Sequence, residues 1–208
     1  VVINTAWLEA QFPATLGDGS RFGLTLRYST EGQDWGGALE TAGGIATVLP
    51  WLTEGGREAF WVVSADIWAP DFHFDGGFAR RFIDSRLQAH LWMVPNPEFH
   101  PNGDFAQGEP LPSLSGDAVV GRLSDDPSER QTYANLALMR ADLFQGLPAG
   151  RRAPLGPLLR TAMAGQQISL QTYVGRWENV GTPAQWQALQ TLQNSPHPTP
   201  PPPSEKTP

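Results

Sequence analysis

Apolar positions along the chain come in short blocks punctuated by glycine and proline, and their spacing alternates between the two-residue period of strands and the longer period of helices. Val1 to Ile3 form a β-branched run suited to a buried strand. Between Ala6 and Leu16, Leu8, Phe12 and Leu16 recur every fourth residue and predict a helix. Pro13 should break or restart it, because proline has no amide to donate and crowds the preceding turn. Leu16-Gly-Asp-Gly-Ser20 is a turn, after which Leu24, Leu26 and Tyr28 alternate with Thr25 and Arg27 as a strand does. Strand, helix and strand in this order predict a parallel βαβ unit.

A glycine-rich loop through Gly32, Gly36 and Gly37 leads to a segment that Thr41 can cap and that should run as a helix to about Leu49. Gly43 and Gly44 stand in its first turn. Each costs about 1 kcal/mol relative to alanine inside a helix, so either a ligand uses the bare backbone or the helix packs closely against the sheet. Phe60 to Val63 form an unbroken apolar run, the mark of a strand covered on both faces, and Asp66 follows its end. A carboxylate at the carboxyl end of a buried strand is a candidate site residue in an open α/β sheet; the plainer alternative is a loop aspartate capping a turn.

Phe78, Phe82 and Leu87 define a further helical stretch with Arg80, Arg81 and Arg86 as its solvated side, and Leu91 to Val94 a short apolar strand. The proline-rich segment from Val94 to Phe105 reads as an ordered loop, with His100 in a surface hydrogen bond and Asp104 steadying its turn. Residues 107 to 131 look polar and turn-prone. Thr132 to Met139 alternate as a strand, Ala141 to Phe144 make a turn, Pro154 to Ala164 a helix, and Ile168, Leu170 and Tyr173 a last strand. Thr182 with Gln185 three residues on, and Pro183 between them, form a capping-box signature for the final helix. Residues 1–194 are expected to form one domain, and residues 195–208 a disordered proline-rich tail.

The net charge of -7 and the absence of any basic run argue against a nucleic-acid groove or an anionic membrane surface as partner. Lys206 is the single lysine. There is no cysteine, which removes disulfides and thiolate metal sites, and His73, His90, His100 and His197 lack ligand spacing. No apolar run approaches the roughly 20 residues of a membrane span.

Several stretches together resemble the sugar-1-phosphate nucleotidyltransferases, and within them the N-acetylmuramate α-1-phosphate uridylyltransferases of bacterial cell-wall recycling. They are Leu16-Gly-Asp-Gly-Ser-Arg-Phe-Gly23, Leu39-Glu-Thr-Ala-Gly-Gly-Ile45, Asp66 after its strand, Asn96-Pro with Gly103-Asp-Phe105, and Arg176-Trp with Val180-Gly-Thr-Pro183. The resemblance covers the chain from Val1 to about Leu192. It implies an α/β fold with a Rossmann-like, mostly parallel sheet and helices on both faces. It also implies a cytoplasmic enzyme that joins UTP to a sugar 1-phosphate, N-acetylmuramate 1-phosphate for preference, with release of pyrophosphate. By the family pattern Mg²⁺ is the cofactor and Asp66 the catalytic carboxylate and a metal ligand, with Asn179 at the second metal position. Ala42, Gly43 and Gly44 are expected to face the uracil, and Ser64, Gly103 and Asn135 to lie near the sugar phosphate.

The chain also departs from that pattern. The family's glycine-rich loop with its arginine and lysine would precede Val1, so the first strand of the sheet is expected to be missing and UTP to bind poorly to these residues alone. Ser64-Ala65-Asp66 stands for Asn-Gly-Asp, Ala134-Asn135 for Ser-Gly, and Asn179 for a second metal-binding aspartate. A non-catalytic, nucleotide-sugar-binding relative is the alternative. Arg176 is expected to pair with Glu178, and Trp177 to pack on the sheet.

Overall fold

In a computed structural model, residues 1–194 of the chain are described. In chain order the elements are β1 (Val2–Thr5), α1 (Gln11–Leu16), β2 (Arg27–Thr30), α2 (Glu31–Trp35), α3 (Glu40–Leu52), β3 (Ala59–Val63), β4 (Ile67–Trp68) and α4 (Gly76–Asp84). They continue with β5 (Ala89–Val94), β6 (Phe105–Pro110), β7 (Val119–Arg122), β8 (Arg130–Arg140), α5 (Leu155–Ala164), β9 (Ile168–Thr172), β10 (Glu178–Asn179) and α6 (Pro183–Asn194). The expected α/β class is met. The tail expected to be disordered lies outside the described residues.

Six strands form the central sheet in the order β3-β8-β5-β9-β7-β6. Its pairing is mixed: β5 and β9 are parallel, whereas β8 runs antiparallel to both β3 and β5. Since β3 and β5 are both reversed against β8, they share a direction with β9, and all three strands deliver their carboxyl ends to one edge of the molecule. β5 shows why the sequence places it centrally, for all six of its residues are buried. One face of the sheet packs Leu91, Met93, Ala137, Met139 and Leu170 against α3 and α5, and the other packs Trp92, Leu136 and Leu138 against Phe78 and Phe82 of α4. The alternation of these residues along β5 and β8 is the period-two pattern made visible.

The βαβ reading of the first thirty residues is met: β1 and β2 pair in parallel, with Val2 opposite Arg27 and Thr5 opposite Thr30. This pair is hydrogen-bonded separately from the six-stranded sheet. The intervening helix is shorter than its apolar spacing suggested, because Leu8 adopts a left-handed backbone (φ 53°) and α1 begins only at Gln11. β2 likewise begins at Arg27 rather than Leu24, whose side chain stays half exposed. α2 replaces what read as a loop. The glycines there misled, since only Gly32 lies inside the helix while Gly36 supplies its left-handed end (φ 79°).

α3 starts one residue before Thr41 and continues past Leu49 to Leu52, with Pro50 inside its last turn. The stretch read as irregular from 107 to 131 contains most of β6 and all of β7: β7 lies between β6 and β9, and the start of β6 also pairs with β8. The final helix begins as its capping signature requires: the Gln185 amide donates to Thr182 Oγ1 at 3.2 Å.

Candidate active site

The sheet edge where β3, β5 and β9 end gathers most of the residues singled out from the sequence. β3 is followed by a tight turn in which the Ile67 amide donates to the Ser64 carbonyl at 3.1 Å, and this turn presents Asp66 to solvent. On the far side, the chain leaving β9 returns as β10 and pairs antiparallel with β4, Asn179 lying opposite Ile67. Asn179 Nδ2 then donates to Asp66 Oδ2 at 3.0 Å. The Val180 amide donates to the Asp66 carbonyl at 2.7 Å, so side chain and backbone of Asp66 are both fixed by the same neighbouring segment.

Asn135 belongs to the same cluster. Leu91 pairs with Ala137 and Met93 with Tyr133, so β8 bulges opposite Trp92. At the bulge Asn135 takes a left-handed conformation (φ 57°), and its carbonyl accepts the Ser64 amide at 3.2 Å. Asparagine tolerates this region better than other residues with a Cβ, which explains how it can stand where the family carries glycine. Trp177 closes the group from behind: its indole Nε1 donates to the Ala134 carbonyl at 2.9 Å, and the ring packs under the sheet as expected.

Gly103 lies farther along the same edge. It has φ 57° and is buried, and a Cβ there would meet Asn96 Oδ1 at 2.7 Å and the Arg130 carbonyl oxygen at 3.0 Å. Asn96 donates to the carbonyls of Pro101 and Arg130 and accepts from Thr132 Oγ1. Asp104 accepts the Tyr133 amide at 2.8 Å and approaches His100 Nε2 at 3.3 Å. The proline-rich loop is thus pinned to β8 by the polar contacts of Asn96 and Asp104, with His100 lying beside Asp104 within the loop.

Ala42, Gly43 and Gly44 do not present an open surface. All three are buried, and the Gly43 amide donates to the Ala153 carbonyl at 3.0 Å. A Cβ on Gly43 would collide with the Arg151 carbonyl, and one on Gly44 with Glu31 Oε1 and with Asn4 Nδ2. Of the two readings open from the sequence, close packing is the one this arrangement displays, and the partners are the Arg151–Ala153 segment at Gly43 and Glu31 with Asn4 of β1 at Gly44, not the six-stranded sheet. Glu31, which the sequence did not single out, is a buried carboxylate that accepts the Asn4 amide at 2.9 Å and the Leu39 backbone amide at 2.8 Å. It fastens the start of α3 to β1.

Arg176 also departs from expectation. Its partner is Asp71, reached by Nε at 2.8 Å and Nη2 at 2.7 Å, and not Glu178 two positions on. Hydrogen bonds from the Arg176 side chain and backbone hold the Asp71 carboxyl well below the usual carboxylate range. Nothing in the local sequence marks this pair, because 105 residues separate the two.

The chain is 38% identical over 193 residues to an N-acetylmuramate alpha-1-phosphate uridylyltransferase from Neisseria meningitidis serogroup B, a match covering 92% of this chain and 77% of that protein. The chain belongs to the sugar-1-phosphate nucleotidyltransferases. A mannose-1-phosphate guanylyltransferase from Mycobacterium tuberculosis is 26% identical over 192 residues, 88% of this chain and 48% of that protein, so the chain spans about half of its length. The fold is shared with a crystal structure described as a glucose-1-phosphate thymidylyltransferase from Bacillus anthracis in complex with sucrose, at a TM-score of 0.67, 14% identity, and coverage of 95% of this chain and 77% of the other. No protein-family profile matches the chain.

Nucleotidyltransferases of this family generally work with a divalent metal ion. Among the described residues no group of three or more His, Cys, Asp or Glu side chains is placed to hold one, so an all-protein metal cage is not built here. The donor set at Asp66 fits a different use. Mg²⁺ is commonly held by one or two carboxylates with substrate phosphates completing its shell, and Asp66 supplies one exposed carboxylate beside an amide that carries a second oxygen donor. Among the described residues no helix is long and apolar enough to cross a membrane.

Proposed function

We propose that the protein joins UTP to N-acetylmuramate 1-phosphate, giving the UDP-sugar and pyrophosphate, as a cytoplasmic step in the recycling of cell-wall sugar. The observation that carries this reading is the 38% identity to the Neisseria uridylyltransferase, sustained across 92% of the chain. The contact between Asp66 and Asn179 supports it from the side of geometry, since both family metal positions meet at one point.

In the reaction an oxygen of the sugar phosphate attacks the α-phosphorus of UTP in line, and the bond to the pyrophosphate oxygen breaks. No covalent enzyme intermediate is needed, so the protein has to position two anions and offset their charge. Bound Mg²⁺ would neutralise phosphate charge, held by Asp66 and by the Asn179 amide oxygen. Ser64, Asn135 and Gly103, lined along the carboxyl edge of β3 and β5, are assigned to the sugar phosphate. Gly103 and the Ser64–Asn135 contact give that edge a fixed backbone shape. A nucleobase at Ala42, Gly43 and Gly44 would require Arg151 to Ala153 to move off the Gly43 amide.

The test is turnover. The purified full-length protein, given UTP, N-acetylmuramate 1-phosphate and Mg²⁺, should release pyrophosphate and form the UDP-sugar, with glucose 1-phosphate, mannose 1-phosphate, GTP and dTTP as competing choices. Preference for another sugar or nucleotide would overturn the substrate assignment. Absence of both turnover and UTP binding would favour a non-catalytic relative.

A further inference from the structure

The two stretches that bring Asp66 and Asn179 together are joined by a ladder of only two residue pairs, Glu178 opposite Trp68 and Asn179 opposite Ile67. So short a ladder is marginal by itself, because an isolated two-stranded pairing is barely stable in water. Register matters here more than strength. A slip of one residue would turn Asn179 to the opposite face and remove its amide from the carboxylate.

One end of the ladder is closed by Arg176 and Asp71. Arg176 Nε and Nη2 donate to the two carboxylate oxygens of Asp71, and the Arg176 backbone amide adds a third bond to Asp71 Oδ2 at 3.0 Å. The guanidinium lies 5.5 Å from the ring centroid of Trp68, the residue paired with Glu178. Tyr173 Oη donates to the Arg176 carbonyl at 3.3 Å. The three Arg176–Asp71 bonds tie the segment after β9 to the segment after β3, while the Tyr173 bond closes the turn within the segment after β9.

We propose that Asp71 and Arg176 are positioning residues for the Asp66–Asn179 pair: the forked contact sets the register of β10 on β4 and thereby keeps the Asn179 amide beside the Asp66 carboxylate. Both side chains are exposed, and an exposed ion pair contributes little to global stability. A planar fork on a carboxylate, by contrast, is directional, and the point charge of lysine does not reproduce it. The structural claim stands on these contacts alone. Its consequence for activity rests on the reading of Asp66 and Asn179 given above.

Amide hydrogen exchange followed by NMR tests the claim without any reaction. In full-length Arg176→Lys and Asp71→Asn variants, the Val180 amide should exchange about tenfold faster or more, while the amides of Leu91 and Leu170 in the central sheet keep their rates. Affinity for Mn²⁺, used as a paramagnetic probe, should weaken severalfold with the thermal midpoint unchanged, and Asp71→Glu, which retains a carboxylate for the fork, should recover part of both effects. Unchanged Val180 exchange, or parallel acceleration of the core amides, would overturn the proposal. So would faster Val180 exchange with unaltered Mn²⁺ affinity. Failure of the unsubstituted protein to bind Mn²⁺, with Val180 exchange still accelerated in the variants, supports the clamp and defeats the metal reading instead.

Discussion

Asn179 donates its side-chain amide to the carboxylate of Asp66 across 3.0 Å, although the two stand 113 positions apart in the chain. The bond places a neutral group where the family pattern has a second acid, which lowers the negative charge available to a divalent ion. Asn179→Asp should therefore raise Mg²⁺ affinity, lowering the concentration needed for half-maximal rate by about tenfold, within the range by which groups around a metal alter its binding. Asp66→Asn should abolish metal-dependent activity. A Mg²⁺ titration of initial rates, with Mn²⁺ binding in parallel, checks both. An Asn179→Asp variant with the original Mg²⁺ dependence would show that this position does not reach the ion.

His90 gives the fold a pH dependence of its own. It is wholly buried on β5, with Nδ1 on Ser169 Oγ at 2.8 Å, Nε2 without a partner, and the rings of Phe78 and Trp92 packed edge to face. Burial pushes its pKa down from 6.5 to about 3. Between those values the unfolded chain takes up a proton that the native chain refuses, so stability from this group is complete above its unfolded pKa and is lost as pH falls. Between the two pKa values the slope should approach about 1.4 kcal/mol per pH unit. Urea unfolding at a series of pH values should show the loss, and His90→Gln, which cannot titrate, should flatten that part of the curve.

The glycine pair in α3 should behave as packing demands. Alanine at Gly43 must displace the carbonyl of Arg151, and at Gly44 the carboxylate of Glu31, which is itself held by Asn4 and Leu39. Backbone and a doubly bonded buried acid yield poorly, so each substitution should destabilise by about 1–3 kcal/mol. Gly156 in α5 is the contrast, since a Cβ there meets nothing within 4 Å. Gly156→Ala should stabilise by about 0.4–1 kcal/mol through the unfolded chain. Denaturant midpoints for the three variants decide between a packed and an open glycine pair.

What could be read from the sequence follows from the range over which each cause acts. β5 was legible because burial on both faces leaves a continuous apolar run, and the start of α6 because Thr182 and Gln185 satisfy the backbone locally. β3 carries the same kind of run but stands at the end of the sheet order, where of its residues only Phe60 is buried and Val63 is exposed, so it is not the doubly covered strand its sequence suggested. α2 was obscured by glycines that end it, β6 by the glycine, charge and proline in its Gln107-Gly-Glu-Pro110 half, and β7 by its length of four residues with Gly121 inside it. At the site, the meeting of Asp66 with Asn179 was expected through the family pattern, not from either residue's neighbours. The Asp71–Arg176 fork and the burial of Glu31 were invisible, for both depend on segments that only the folded chain brings together.

The backbone at Asn135 offers a test of why asparagine occupies that bulge. Its φ of 57° is costly for residues with a Cβ, by about 1–2 kcal/mol for a left-handed helical conformation, and least so for glycine and asparagine. The conformation is fixed from both sides: β3 and β5 flank β8 there, and the Ser64 amide binds the Asn135 carbonyl. Relaxing it would shift the turn that carries Asp66. Asn135→Gly should leave the denaturation midpoint within about 1 kcal/mol of the original, whereas Asn135→Val, β-branched and ill suited to positive φ, should lose about 1–2 kcal/mol or more. If Asn135 also meets the sugar phosphate, Asn135→Gly will raise KM for the sugar 1-phosphate with KM for UTP unchanged. Equal KM values for both substrates in Asn135→Gly and the original protein would leave the residue a purely structural filler of the bulge.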